Sequence, residues 1–203
     1  MLFNRLAVPL RTLQKLTKAH RWHHTSLTCI SFFPPYILSN VSLWSRLFLG
    51  FHSVQDLILP VLQSMSHSQS GPLNILDMGC GTSTLGPCIY KTSPYAVRVT
   101  YADISSVAVK LLEKHANFTS VQHLDCTQLR GYFGARSLDL ILDKGTDALV
   151  RSKEGQVKAG QIVKQCLQVL KPSGSLLQFS DEDPDLGELR GVRYFCYQIS
   201  PCA

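Results

Sequence analysis

An α/β fold, with a doubly wound, mostly parallel sheet covered by helices on both faces, is predicted by three observations. Short apolar runs alternate with helix-length amphipathic stretches from residue 73 to residue 180. The first run passes straight into a glycine-rich loop, ILDMGCGTSTLG at 75–86. Four successive runs end on an aspartate, at Asp77, Asp103, Asp125 and Asp143, with intervals of 26, 22 and 18 residues that each suit one strand–helix unit.

The elements follow in order. Residues 41–65 carry an apolar stripe at helical spacing (Leu43, Leu47, Phe51, Val54, Ile58, Val61), which Pro60 should kink or interrupt. SHSQSGP at 66–72 is a polar linker. LNILDM (73–78) is a strand, followed by a helix near 83–91. VRVTYAD (97–103) is the next strand, and Ser105 caps a helix at 106–116. SVQHLD (120–125) is a strand leading to a loop. LDLILD (138–143) is a strand before a helix near 153–170, whose buried face is expected to be Val157, Ile162, Val163, Cys166, Leu167, Val169 and Leu170. KPSG (171–174) is a turn, SLLQFS (175–180) a strand, and GVRYFCYQI (191–199) the last one.

The chain has 203 residues, enough for one domain with a sizeable core. Its net charge of +6 is unevenly placed. Residues 1–55 hold six basic residues and no acidic one, and the remainder balances 14 against 14. A neutral body argues against nucleic acid as a partner. The first residues alternate leucines (Leu2, Leu6, Leu10, Leu13, Leu16) with Arg5, Arg11, Lys15 and Lys18. A basic, acid-free, amphipathic start is the pattern of a mitochondrial transit peptide, here 1–33, with cleavage in 21–33. A basic tail or a helix on a membrane surface gives a similar pattern. The folded domain is then 41–203. No apolar run reaches the ~18 residues needed to span a bilayer, so stable membrane insertion is not expected. Seven cysteines at irregular spacing, without a C-x-x-C, argue against a disulfide framework or a metal site.

In parallel sheets ligands bind beyond the carboxyl ends of the strands, so the four aspartates should share one rim. A strand-end acid also serves as a cap for the following helix, and a pair of glycines also makes a plain tight turn. The loop lacks the G-x-x-x-x-G-K-[ST] of a phosphate cradle, and Thr84 stands where G-x-G-x-x-G needs its last glycine. A pyrophosphate would meet repulsion from Asp77. A ligand with a cationic amine and a ribose fits better. Asp77 meets the ammonium, Gly79 and Gly81 allow close backbone approach, and Asp103 accepts the ribose hydroxyls. Asp125 accepts an adenine amino group, with Ile104 and Cys126 packing near the ring. That is the chemistry of S-adenosylmethionine, whose product is S-adenosylhomocysteine.

The segments ILDMGCGTS, VTYADIS, VQHLDCTQL and LDLILDKGT resemble the first four motifs of the class I, seven-β-strand S-adenosylmethionine-dependent methyltransferases. LILDKGT, LLQFSDEDPD and GVRYFCYQI narrow this resemblance. They are similar to the methyltransferase-like lysine methyltransferases and, among them, to the mitochondrial enzymes acting on citrate synthase.

The resemblance implies a Rossmann-like fold with an antiparallel C-terminal strand, and transfer of a methyl group to a lysine of a protein of the mitochondrial matrix, citrate synthase. It assigns Asp77, Gly79, Gly81, Asp103, Ile104, Asp125 and Cys126 to the cofactor. Asp143 is the candidate catalytic acid, and Lys144, Gly145 and Asp181 lie on the substrate side. The chain departs from the family at 47–52, where Leu47, Phe51 and His52 replace a Trp, a Tyr and an acid. Few residues separate Ser180 from Gly191, so a sixth strand should be missing and the last strand should become the sheet edge. A cofactor-binding protein without turnover is the alternative these departures raise. An NAD-dependent Rossmann oxidoreductase is a more distant one.

Overall fold

The computed structural model describes residues 28–32, 51–115, 120–144, 152–180 and 195–201. In chain order the elements are β1 (Thr28–Phe32), α1 (Phe51–Ser66), β2 (Leu73–Met78), α2 (Leu85–Thr92), β3 (Val97–Asp103), α3 (Ser106–His115) and β4 (Val121–His123). A short 3₁₀ turn (Cys126–Gln128) and α4 (Leu129–Tyr132) lead to β5 (Leu138–Lys144), α5 (Lys153–Val169), β6 (Leu170–Ser180) and β7 (Phe195–Pro201). The strands form a single seven-stranded sheet in the order β1-β7-β6-β5-β2-β3-β4. β2 to β6 run parallel, while β7 is antiparallel to both of its neighbours.

Side chains alternate across the strands, so each strand feeds two cores. On one face Ile75, Leu140, Leu142 and Leu177 pack against Ile58 and Leu62 of α1 and Leu85 and Ile89 of α2. On the other face Leu76, Met78, Ile141 and Leu176 pack against Leu129 of α4 and Ile162 and Cys166 of α5. Each fully buried Leu or Ile contributes about 1.5–3 kcal/mol relative to exposure. Covering both faces explains why six of the seven residues of β5 are buried, Asp139 and Asp143 among them.

Three expectations are corrected. α1 is continuous through Pro60, so of the two outcomes expected there the interruption does not occur; Pro60 lies on the exposed side, away from the core. The remainder of the predicted helix, 41–50, lies outside the described residues. The KPSG turn is taken up inside β6: Leu138 pairs with Leu170 but Leu140 with Ser175, so Lys171–Gly174 form a wide bulge. Gly174 fits because a Cβ there would sit 2.9 Å from the Asp139 carbonyl oxygen.

The third correction concerns the sheet edge. β7 is not the edge. Thr28–Phe32 pairs with it antiparallel, Thr28 opposite Pro201 and Phe32 opposite Tyr197. β1 thus lies where the last strand was expected to form an open edge, and satisfies backbone groups that an edge would leave open. This strand lies within the 1–33 segment expected as a leader, so the sheet reaches back to Thr28. The last strand begins at Phe195, and residues 191–194 lie outside the described residues.

Candidate functional site

Parallel pairing brings the carboxyl ends of β2, β3, β4 and β5 to one rim. Asp77 lies level with Tyr101 and Leu142, Met78 with Asp143, and Asp103 with His123. The electrostatics place the acids in one neighbourhood. Asp143 and Asp103 both act on Asp77, and Asp143, Asp125 and Asp103 all act on the Cys126 thiol between them.

Asp77 is buried at the end of β2. Its Oδ2 accepts the Gly86 N–H at 3.0 Å. Burial pushes its carboxyl up to about 7, although the Gly86 N–H and the charge of Lys144 oppose the shift. The loop after β2 turns on Gly79 and Gly81, at φ 59° and 53°, where an L side chain would be strained. Gly86 is required for another reason. A Cβ there would stand 2.5 Å from Asp77 Oδ2 and 2.6 Å from Tyr101 Cε1.

Asp103 ends β3 and ties the loop to it. Its Oδ2 accepts the Gly81 N–H at 2.8 Å, and its Oδ1 accepts the Ser105 N–H at 2.7 Å. An ionised carboxylate has about four acceptor positions, so each oxygen keeps one for a further donor. Ser105 caps α3 as expected, its Oγ accepting the Ala108 N–H at 3.3 Å.

Asp125 follows β4 and caps the 3₁₀ turn. Both the backbone N–H and the hydroxyl of Thr127 donate to its Oδ1, each at 2.8 Å. This cap shortens the strand predicted at 120–125 to Val121–His123. The Ile104 side chain is 67% exposed at the rim. Its backbone is fixed by a 2.8 Å hydrogen bond between its carbonyl oxygen and His123 Nε2. Cys126 accepts the Gly79 N–H. Burial, with the charges of Asp143 and Asp125, pushes its thiol up to about 12, so it is a neutral, weakly polar surface.

Asp143 and Lys144 are neighbours that face opposite sides of β5. Asp143 is buried on the α5 side, where Gln178, directly across the strand pair, donates Nε2 to its Oδ2 at 3.2 Å. Lys144 turns to the Asp77 side and donates Nζ to Ser83 Oγ at 3.0 Å. Gly145 and Asp181 lie outside the described residues. Sequence reasoning missed Ser83, Gly86 and Gln178. Gly86 carried a signal, a third glycine displaced by two residues from the fingerprint spacing. Gln178 becomes visible only once the β5–β6 register is known.

A buried carboxyl raised by desolvation, an open glycine turn and acceptor positions on Asp103 suit a ligand that brings a cation and hydroxyl donors. They do not suit a phosphate. Fold and rim together define a Rossmann-like methyltransferase domain built for S-adenosylmethionine.

The comparisons agree. A methyltransferase domain model matches residues 75–174. The mitochondrial citrate synthase-lysine N-methyltransferase of Danio rerio is 57% identical, the match covering 99% of this chain and 98% of that protein. The match spans 254 positions against 203 residues here, so the relative carries stretches with no counterpart in this chain. The Homo sapiens protein of the same name is 38% identical over 75% of this chain and 76% of its own length.

Among solved structures, a TehB-like SAM-dependent methyltransferase from Corynebacterium glutamicum superposes with a TM-score of 0.51 at 12% identity. It covers 70% of this chain and 86% of that one. The bifunctional kinase-methyltransferase WbdD reaches 0.55 at 15% identity, over 71% and 38%. These two show the fold. The chain belongs to the family of the citrate synthase-lysine N-methyltransferases, within the class I S-adenosylmethionine-dependent enzymes.

Proposed function

We propose that this chain methylates a lysine side chain of citrate synthase in the mitochondrial matrix, using S-adenosylmethionine. The observation that carries the reading is the convergence of Asp77, Asp103, Asp125 and Asp143 on one rim around a glycine turn. The names of the 57% and 38% identical relatives support the substrate and the mitochondrion. The basic, acid-free residues 1–27 support import, with processing ahead of Thr28 so that β1 is kept.

In this reading Asp77 takes the cofactor's α-ammonium, and its burial strengthens that contact. The two remaining acceptor positions of Asp103 hold the ribose hydroxyls. Asp125 accepts the adenine amino group on Oδ2, the oxygen Thr127 leaves open, beside the apolar surface of Ile104 and Cys126. The bound cofactor supplies an electrophilic methyl group on a sulfonium, a good leaving group. The chain's own task is therefore alignment and delivery of a neutral amine. Asp143, oriented by Gln178, is the carboxylate assigned to the incoming lysine, and Gly145 and Asp181 remain on that side.

The test is transfer of radiolabelled methyl from S-adenosylmethionine to purified citrate synthase by the intact protein. Label on a citrate synthase lysine, lost in Asp103→Ala, is the expected result. Binding of cofactor without any label on citrate synthase would overturn the substrate assignment.

A further inference from the structure

The resemblance places Lys144 on the substrate side, next to Asp143. The structure turns the two apart. Alternation along β5 sends Asp143 toward α5 and Lys144 toward the loop that follows β2. There the ammonium donates to Ser83 Oγ at 3.0 Å, and the same oxygen accepts the Leu85 N–H at 3.2 Å. Both lone pairs of the hydroxyl are thus engaged, which leaves its hydrogen as a donor. Ser83 is itself 7% exposed, so the ammonium is anchored on a rigid part of the loop. Two of the three Lys144 protons lie beyond the bond to Ser83. Asp77 is the strongest opposite charge acting on Lys144. Its Oδ2 is held by Gly86 N–H, so the second oxygen is the one available to a cation.

A buried carboxylate held by the Gly86 N–H and a part-buried ammonium held by Ser83 thus both reach the first turn of α2, and together they complement an amino acid zwitterion. Such a group also carries one charge of each sign, three bonds apart. A lone carboxylate would serve any cationic amine. The pair adds discrimination for a ligand that presents a carboxylate as well. We propose that Lys144, anchored on Ser83, binds the α-carboxylate of the cofactor's methionine moiety while Asp77 binds its α-ammonium. Lys144 is then a cofactor-specificity residue and does not meet the acceptor lysine. This inference rests on S-adenosylmethionine being the cofactor.

Calorimetric titration of the full chain tests it with two ligands. One is S-adenosylhomocysteine, and the other is the same thioether nucleoside lacking the α-carboxylate. The unaltered protein is expected to prefer the first by about tenfold, the size of one charge-assisted contact at a part-buried site. Lys144→Met should lose that tenfold for S-adenosylhomocysteine and change by less than twofold for the decarboxylated ligand. Lys144→Arg should keep most of the preference.

Three results would overturn the assignment. The unaltered protein fails to distinguish the two ligands, a result that needs no variant. Lys144→Met weakens both ligands equally, the mark of a structural role. Lys144→Met leaves both affinities intact while raising KM for the protein substrate. Failure of both ligands to bind the unaltered protein would instead remove the cofactor reading, and this assignment with it.

Discussion

The two halves of the sheet are built differently. From β2 to β5 all strands are parallel, each is contributed by its own stretch of sequence, and each delivers an acid to the rim. Beyond β5 the sheet closes with β7 lying antiparallel between β6 and β1, and β1 comes from the opposite end of the chain. In the proposed function the first half carries the chemistry, and there small backbone and carboxylate details decide the outcome. The second half carries pairing, and there a strand need only satisfy its neighbour's N–H and C=O groups. Perturbing the first half should abolish binding, whereas perturbing the second should cost stability with the rim left working.

The strongest blow to the first half is Gly86→Ala. The new Cβ would meet Asp77 Oδ2 and the Tyr101 ring, neither of which can retreat from the core. A loss of about 3 kcal/mol in urea unfolding, with S-adenosylhomocysteine binding abolished, is expected. Next comes Asp143→Asn, which keeps the shape but removes the charge assigned to the acceptor amine. It should lower kcat about a hundredfold while changing S-adenosylhomocysteine affinity less than twofold. An unchanged kcat would take Asp143 out of the mechanism.

The second half is probed by removing residues 1–32, which deletes β1. Stability should fall by about 2 kcal/mol and the exposed β7 should promote association, seen by light scattering. Cofactor affinity in the surviving monomer should stay within twofold. A parallel collapse of binding would mean that the halves are not separable.

The smallest effect is one of pH. The Asp77 carboxyl is raised from 3.8 to about 7, first by burial. A raised carboxyl contributes stability to the free protein below about pH 4, and that contribution is lost as pH rises through 7. If Asp77 takes the cofactor's ammonium as proposed, binding needs the ionised form, and affinity for S-adenosylhomocysteine should rise about tenfold between pH 6 and 8. Calorimetry across that range checks this, and Asp77→Asn should give a flat profile.

The same contrast governs what could be read from the sequence. In the parallel half the signals are local. VRVTYAD is a strand over the predicted residues, LNILDM likewise, and the aspartates sit within two residues of the ends of their strands. Their convergence follows from parallel pairing alone. What escaped there depends on register or close approach. Gln178 meets Asp143 only because those two residues are paired across β5 and β6. Gly86 is needed because of a side chain nine residues earlier.

In the other half the signals are non-local. Thr28–Phe32 has no alternation to mark it as a strand, follows a basic leader-like stretch, and finds its partner at Phe195–Pro201. KPSG is turn chemistry in a sheet that absorbs it as a bulge. Pro60 fits a helix because its ring faces outward.

The central claim is that the carboxylate rim recognises the nucleoside of S-adenosylmethionine, and Asp103 is its most direct probe. Titrating the intact protein and Asp103→Ala with S-adenosylmethionine, both verified as folded by their thermal transitions, should show at least a tenfold loss of affinity in the variant. Equal affinity in the two proteins would contradict the claim.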